Sequence, residues 1–358
     1  MIKLFSAQTL TALRVFIKNF AVKNKIPAIT SYTSNPALPG ILADDPGTPL
    51  DQNGLFINQE IPMVNSFWSV LKFLMQKNPQ RQEKKNDQWR IGVIKDEKCL
   101  TDTFDKITWL GHASFFIQLS GVRILIDPVF GKLPVGKRYS ELPVEPQHLT
   151  GIDYILVSHV HYDHCDKKSL KLLAANNPDA VLLVGLNVDK LISGWIANPI
   201  QAAGWYQQYQ LKHQLRITFL PSRHWANRSP FDVNKTLWGG FMIESANKKV
   251  YYGGDSGYGA HFKTIGKLFS EIDVALIGAG AYSPAWFMAQ NHQDPYDAVK
   301  AFHDTGARTF VPFHYGTFDA ADEPLGEPEK ILNALNEAGK IKNQLKILKL
   351  GEVFSMGL

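Results

Sequence analysis

The sequence predicts an α/β fold, and three observations carry that prediction. From about residue 100 onward, short apolar runs of strand length alternate with stretches that carry helix signals. Several of those runs end in a loop that carries a His, an Asp or a pair of glycines. The chain has 358 residues, 45% of them hydrophobic, enough to bury a large core as one body.

Taken in order, the elements divide the chain into a basic arm over 1–26, a connector with an apolar helix over 27–98, and a main domain over 99–358. Residues 1–25 hold Lys3, Arg14, Lys18, Lys23 and Lys25 and no acid, so the arm carries a charge of +5, equal to the net charge of the whole chain. Leu10, Leu13, Phe16, Ile17 and Phe20 recur there at helical spacing. Two readings stand: a helix lying on an anionic membrane surface, or one packed on the domain with its basic face in water. Arg14 and Lys18 interrupt the apolar run and no A-x-A site follows, which argues against a secretory signal. No stretch approaches the roughly 18 apolar residues that a spanning helix needs. The expected location is therefore cytoplasmic, with peripheral contact to a membrane. Residues 27–53, rich in Pro, Gly, Ser, Thr and Asp, predict an irregular connector. Phe67, Trp68, Val70, Leu71, Phe73, Leu74 and Met75 predict a strongly apolar helix begun at Asn65 or Ser66, and the polar 77–97 predicts an exposed linker.

Within the main domain, Arg123 to Ile126 reads as a strand ending at Asp127. The run 154–158 reads as a buried strand, and it feeds His159, His161, Asp163 and His164 into one tight loop. His159 and His161 are two apart, so in extended chain both imidazoles project to one side and can share an ion. Asp163 and His164 follow where the chain turns and can reach a second ion. Imidazole nitrogen with carboxylate oxygen suits zinc best. Further ligands are then required downstream at strand ends, and His224 after 215–219, Asp255 after 250–252 and His314 after 309–313 meet that requirement. Gly253 and Gly254 let the backbone bend closely around Asp255. Asp294, Pro295 and Asp297 mark a helix start. A final strand is expected within 347–356. The two cysteines, Cys99 and Cys165, suggest neither a disulfide framework nor a thiolate site.

This chain resembles the metallo-β-lactamase superfamily, whose H-x-H-x-D-H loop is followed by a His, an Asp and a final His. The resemblance implies a four-layer αββα sandwich and two Zn2+ ions. One would be held by His159, His161 and His224, the other by Asp163, His164 and His314, with Asp255 bridging. Narrower words, among them 108–113, 125–130, 232–239, 254–258, 286–288 and 314–318, are similar to the N-acylphosphatidylethanolamine-hydrolysing phospholipase D family. That likeness implies a zinc phosphodiesterase that cleaves the distal ester of an N-acylated or ordinary glycerophospholipid, releasing phosphatidic acid and an alcohol, and it implies a homodimer. Two cations lower the pKa of a water between them and neutralise charge on the phosphoryl oxygens. Asp163, Asp255 and His292 are the expected catalytic residues, His292 beside the substrate phosphate. Asp127 is expected to support the metal loop by hydrogen bonds. Trp225, Tyr258, Tyr282, Trp286 and Phe287 are candidates for the pocket wall. His112 is expected to be structural.

Alternative substrates stay open, a lactone or another small soluble molecule foremost, because fold and metals do not fix the substrate. His164 directly after Asp163, with no Cys in the second site, leans away from a β-lactamase. Outside the arm acids balance the basic residues, which leaves no track for nucleic acid.

Overall fold

The computed structural model describes residues 28–60, 67–134 and 136–357. The basic arm lies outside the described residues, as do the expected helix starts at Asn65 and Ser66.

Two seven-stranded sheets form the body. After the short β1 (Ser31–Thr33) and β2 (Thr48–Leu50), the first sheet takes β3 (Lys106–Gly111), β4 (Ser114–Leu119), β5 (Val122–Ile126), β6 (Tyr154–Val157), β7 (Val181–Gly185) and β8 (Ile200–Ala203). The second takes β9 (Gln207–Gln208), β10 (Arg216–Leu220), β11 (Gly240–Glu244), β12 (Lys249–Tyr252), β13 (Val274–Gly278), β14 (Thr309–Phe313) and β15 (Gln344–Leu345), and β16 (Val353–Ser355) returns to the first sheet beside β3. Both follow one plan. An antiparallel meander comes first (β3, β4, β5; β9, β10, β11, β12), then parallel strands joined by helical crossovers.

Parallel strands covered on both faces must be apolar throughout, which is why 154–157 and 274–277 read as unbroken hydrophobic runs. The sheets pack face to face: the Phe115 ring on β4 meets Tyr252 of β12 at 6.1 Å and Phe313 of β14 at 5.5 Å. Helices His261–Leu268, Pro295–Thr305 and Glu327–Glu337 flank the second sheet, and Lys167–Asn176 the first, so the layers run αββα. Asp294 caps Pro295–Thr305 by accepting from Asp297 N, as its D-P signal requires.

Two expectations are corrected. The 27–53 connector is not wholly irregular: β1 and β2 pair, Gln208 N donates to Pro39 O, and Leu38 and Thr48 are buried. Strands of three residues leave no readable alternation, so the pairing was hidden. Nor is 77–97 only an exposed linker. It holds a short helix, Arg81–Asn86, while Ile91 is buried and Val93 bridges Leu350. The apolar helix forms at Phe67–Met75. No helix among the described residues is long and apolar enough to cross a membrane.

Candidate metal centre

Six of the seven expected ligands stand on loops directly after parallel or central strands: β6 delivers His159, His161, Asp163 and His164, β12 delivers Asp255 and β14 delivers His314. His224 follows β10. Because the sheets lie face to face, these strand ends open at one edge of the sandwich.

The donor atoms converge in two groups. In the first, His161 Nδ1 lies 2.9 Å from His159 Nε2 and 3.1 Å from His224 Nε2. In the second, His314 Nε2 is 3.4 Å from His164 Nε2 and 3.8 Å from Asp163 Oδ2. Asp255 sits between them. Its Oδ2 is 3.0 Å from His164 Nε2, 3.8 Å from His224 Nε2 and 3.9 Å from His159 Nε2, while Oδ1 is 3.1 Å from His314 Nε2. Such separations match the ~3.3 Å edge of a tetrahedron with zinc bonds of roughly 2.0–2.1 Å.

The outer hydrogen bonds test whether these groups fit a cation. A carboxylate can only accept, so His164 Nδ1–H donates to Asp127 Oδ2 at 2.7 Å, which leaves Nε2 as the nitrogen that faces the centre. Ser158 Oγ donates to the same oxygen at 2.5 Å and can accept from His159 Nδ1–H at 3.0 Å. His224 Nδ1–H donates to Asn291 O at 3.1 Å. Bare lone pairs on His159 and His224 therefore both face His161 Nδ1, and a neutral His161 has one N–H to give, so it serves one of them and leaves the other without a partner. Protons are poor candidates: burial pushes His159 and His224 well below the ordinary imidazole range and His161 down to about 4. A metal ion resolves the contact. His161 Nε2 is also buried without a hydrogen-bond partner.

The second group differs in electrostatics. Burial acts to deprotonate His164, but Asp255, Asp163 and its bond to Asp127 outweigh burial and hold its pKa well above the ordinary value. Burial likewise opposes ionisation of Asp255, which His164 and His314 overcome, so the carboxylate lies well below its usual range. Without a metal, a proton on His164 does the neutralising that a second cation would do.

Asp127 supports this whole edge. Besides His164 and Ser158 Oγ it accepts from Ser158 N at 2.7 Å and Tyr252 OH at 2.6 Å, and it is fully buried. His112, Asp127 and His314 all hold left-handed backbone, with φ of 51°, 42° and 71°. Each costs on the order of 1–3 kcal/mol, the kind of strain that collects at functional sites. At Gly254 φ is +61° and an added Cβ would stand 2.5 Å from Gly239 O, so the turn into Asp255 requires glycine.

His292 lies beside the centre, Nδ1 3.9 Å from Asp255 Oδ2, its side chain 16% exposed and its pKa pushed down to about 4 by burial. Trp225 stands edge-on to His161 at 4.8 Å. Phe287 stacks on Phe73 at 4.5 Å and Trp286 donates to Gln76 Oε1 at 3.0 Å, forming an outer shelf rather than a wall against the ligands. Two pocket candidates point elsewhere. Tyr258 lies over Phe262 and donates to Asp304, and Tyr282 donates to Glu327 at 2.6 Å. Tyr258 stands three residues after Asp255 and Tyr282 ten before His292, both on loops, so nearness in sequence did not set their direction.

His112, expected to be structural, supports a candidate ligand. Its Nε2 is 3.0 Å from Asp163 Oδ2, its ring 4.0 Å from His314, and it belongs to the second donor group. Asn58 was missed altogether: its side chain donates to His224 O and accepts from His224 N. Nothing local to residue 58 signals that role.

Residues 122–315, more than half of the chain, match the family model described as the beta-lactamase superfamily domain. The chain is 32% identical to an N-acyl-phosphatidylethanolamine-hydrolyzing phospholipase D 1 of Caenorhabditis elegans, over 68% of this chain and 71% of that one. It is 30% identical to the mitochondrial N-acyl-phosphatidylethanolamine-hydrolyzing phospholipase D of Saccharomyces cerevisiae, over 68% of this chain but only 54% of the relative. A solved metallo hydrolase from the archaeon Ignicoccus hospitalis shares the fold, with a TM-score of 0.53 and 24% identity over 70% of this chain and 97% of that one.

Proposed function

The chain belongs to the metallo-β-lactamase superfamily, and we propose that this metal-dependent hydrolase is a dinuclear zinc phosphodiesterase of phospholipase D type. It would cleave the distal phosphate ester of N-acylated or ordinary glycerophospholipids at an anionic membrane surface, giving phosphatidic acid and an alcohol. The observation that carries the reading is His292, a neutral, partly exposed imidazole 3.9 Å from Asp255, the carboxylate between the two donor groups, in a chain 32% identical to a phospholipase of that specificity.

His159, His161, His224 and Asp255 would hold one ion, and Asp163, His164, His314 and Asp255 the other. Bound there, the ions supply an acidified water as nucleophile and neutralise phosphoryl charge. With Nδ1 turned to Asp255, the other nitrogen of His292 is the one available to a phosphoryl oxygen. Asp163 is the ligand carboxylate that reaches solvent, its side chain 23% exposed against 2% for Asp255, and it would orient the attacking water and relay a proton to the departing alcohol. Asp127 and Ser158 keep the imidazoles in the required tautomers.

A lipid also needs an apolar approach. Trp68 is 73%, Met75 74% and Trp286 39% exposed, and Lys72 lies 4.4 Å over the Trp286 ring. The short helix that carries Trp286 ends at Met288, four residues before His292, and a cation among exposed aromatics suits an anionic lipid surface.

The test is hydrolysis of N-acylphosphatidylethanolamine, phosphatidylcholine, an acyl-homoserine lactone and a β-lactam side by side, with Asp163→Asn as control. Turnover of phospholipid that Asp163→Asn abolishes is expected. Release of product from the lactone alone would reject the phospholipase reading.

A further inference from the structure

We infer that Arg228 is a positioning residue of the metal loop: its guanidinium ties together the two ends of the segment that carries His161, Asp163 and His164. The inference rests on the reading that the loop takes metal. Arg228 Nη1 donates to Val160 O at 3.0 Å and to Cys165 O at 2.5 Å, so one nitrogen bridges the carbonyls on either side of the three ligands. Both residues are buried, and a buried carbonyl without a donor is costly.

Arg228 is itself held on several sides. Its guanidinium lies 3.9 Å over the Tyr162 ring and 5.3 Å from that of Trp195. Tyr162 OH donates back to Arg228 O at 3.2 Å, and Asp232 Oδ1 accepts from Arg228 N and Ser229 N, each at 2.9 Å. Tyr162 lies inside the loop, between His161 and Asp163, so ring and carbonyls together fix the loop on one rigid plane. A cation beside a metal loop opposes metal by charge. What Arg228 contributes is therefore geometry, and lysine, a point charge with no plane to lie on the Tyr162 ring while it donates to both carbonyls, cannot replace it.

The experiment compares the wild type with Arg228→Lys, Arg228→Gln and Asp232→Ala. It measures the zinc dissociation constant by chelator competition, the absorption spectrum of the Co2+-substituted protein, and unfolding of the metal-free protein. Zinc binding about 10–100-fold weaker is expected in both Arg228 variants, the usual size for losing an outer partner of a ligand, with an altered Co2+ spectrum. Asp232→Ala, which loosens Arg228 without touching the loop, should move in the same direction. Zinc affinity within twofold of wild type and an unchanged spectrum, even with a lowered unfolding midpoint, would overturn the inference, as would wild-type values in Arg228→Lys. Should the Arg228 variants not fold, unchanged zinc affinity in Asp232→Ala decides against it. A wild type that binds no zinc would instead sink the proposed function.

Discussion

Replacing Asp127 by Asn changes one atom at the support of the metal edge, and its cost can be worked from the contacts. Asp127 accepts from Ser158 N at Oδ1 and from Ser158 Oγ, His164 Nδ1 and Tyr252 OH at Oδ2. An asparagine amide has one accepting oxygen. Set toward Ser158 N, it would strand three donors at about 1–3 kcal/mol each, so the amide will turn its oxygen toward those three. That leaves its NH2 against the buried Ser158 N–H, one unmet donor at about 1–3 kcal/mol, and it weakens the formerly charge-assisted bond to His164 by about 1 kcal/mol. Asp127→Asn should therefore be less stable by about 2–4 kcal/mol in urea unfolding of the metal-free protein. It should also hold zinc roughly 10–100-fold more weakly in chelator competition. A variant within about 0.5 kcal/mol of wild type, with unchanged zinc affinity, would refute the role given to this carboxylate.

Three more outcomes are expected. His292→Ala should cut phospholipid turnover about 100-fold, the size of losing one oriented donor, while metal content by elemental analysis stays at the wild-type value; metal loss in step with activity would make His292 a ligand instead. The metal-free protein should lose stability as pH falls below about 6.5, before ordinary carboxylates titrate. Burial lowers His112 and His261 to about 3 and His161 and His292 to about 4, so below 6.5 the unfolded chain binds more protons than the folded one, at about 1.4 kcal/mol per pH unit for each group. His159 and His224, also lowered, add to this, whereas His164, raised by its carboxylates, is protonated in both states below 6.5 and leaves the slope there unchanged; a urea midpoint flat between pH 6.5 and 4.5 would contradict these burials. Deleting residues 1–25 should weaken binding to anionic vesicles in a sedimentation assay and spare turnover of a water-soluble phosphodiester, and unchanged vesicle binding would discard the membrane role of the arm.

The fold class and the seven donors were legible because each donor follows a strand, and strands announce themselves by apolar runs while a loop after a parallel strand has few places to go. His159, His161, Asp163 and His164 even share one loop, so their proximity needed no tertiary knowledge. His112 was opaque for the opposite reason. It reaches Asp163 only because the β3–β4 turn is pinned to the loop after β14, His112 N donating to Thr317 Oγ1 at 2.8 Å and His314 N to His112 O at 3.3 Å. Asn58 and Arg228 act from loops far along the chain, through contacts with backbone that carry no residue-type signal. Tyr258 and Tyr282 show the converse error, aromatic side chains three and ten residues from Asp255 and His292 that turn onto neighbouring helices instead.

The most direct measurement is anomalous diffraction from crystals of the protein purified without chelator and supplied with zinc. Two peaks are expected on either side of the Asp255 carboxylate, one among His159, His161 and His224 and the other among Asp163, His164 and His314. A pocket without zinc, or a single ion that leaves either histidine group unligated, would contradict a dinuclear centre.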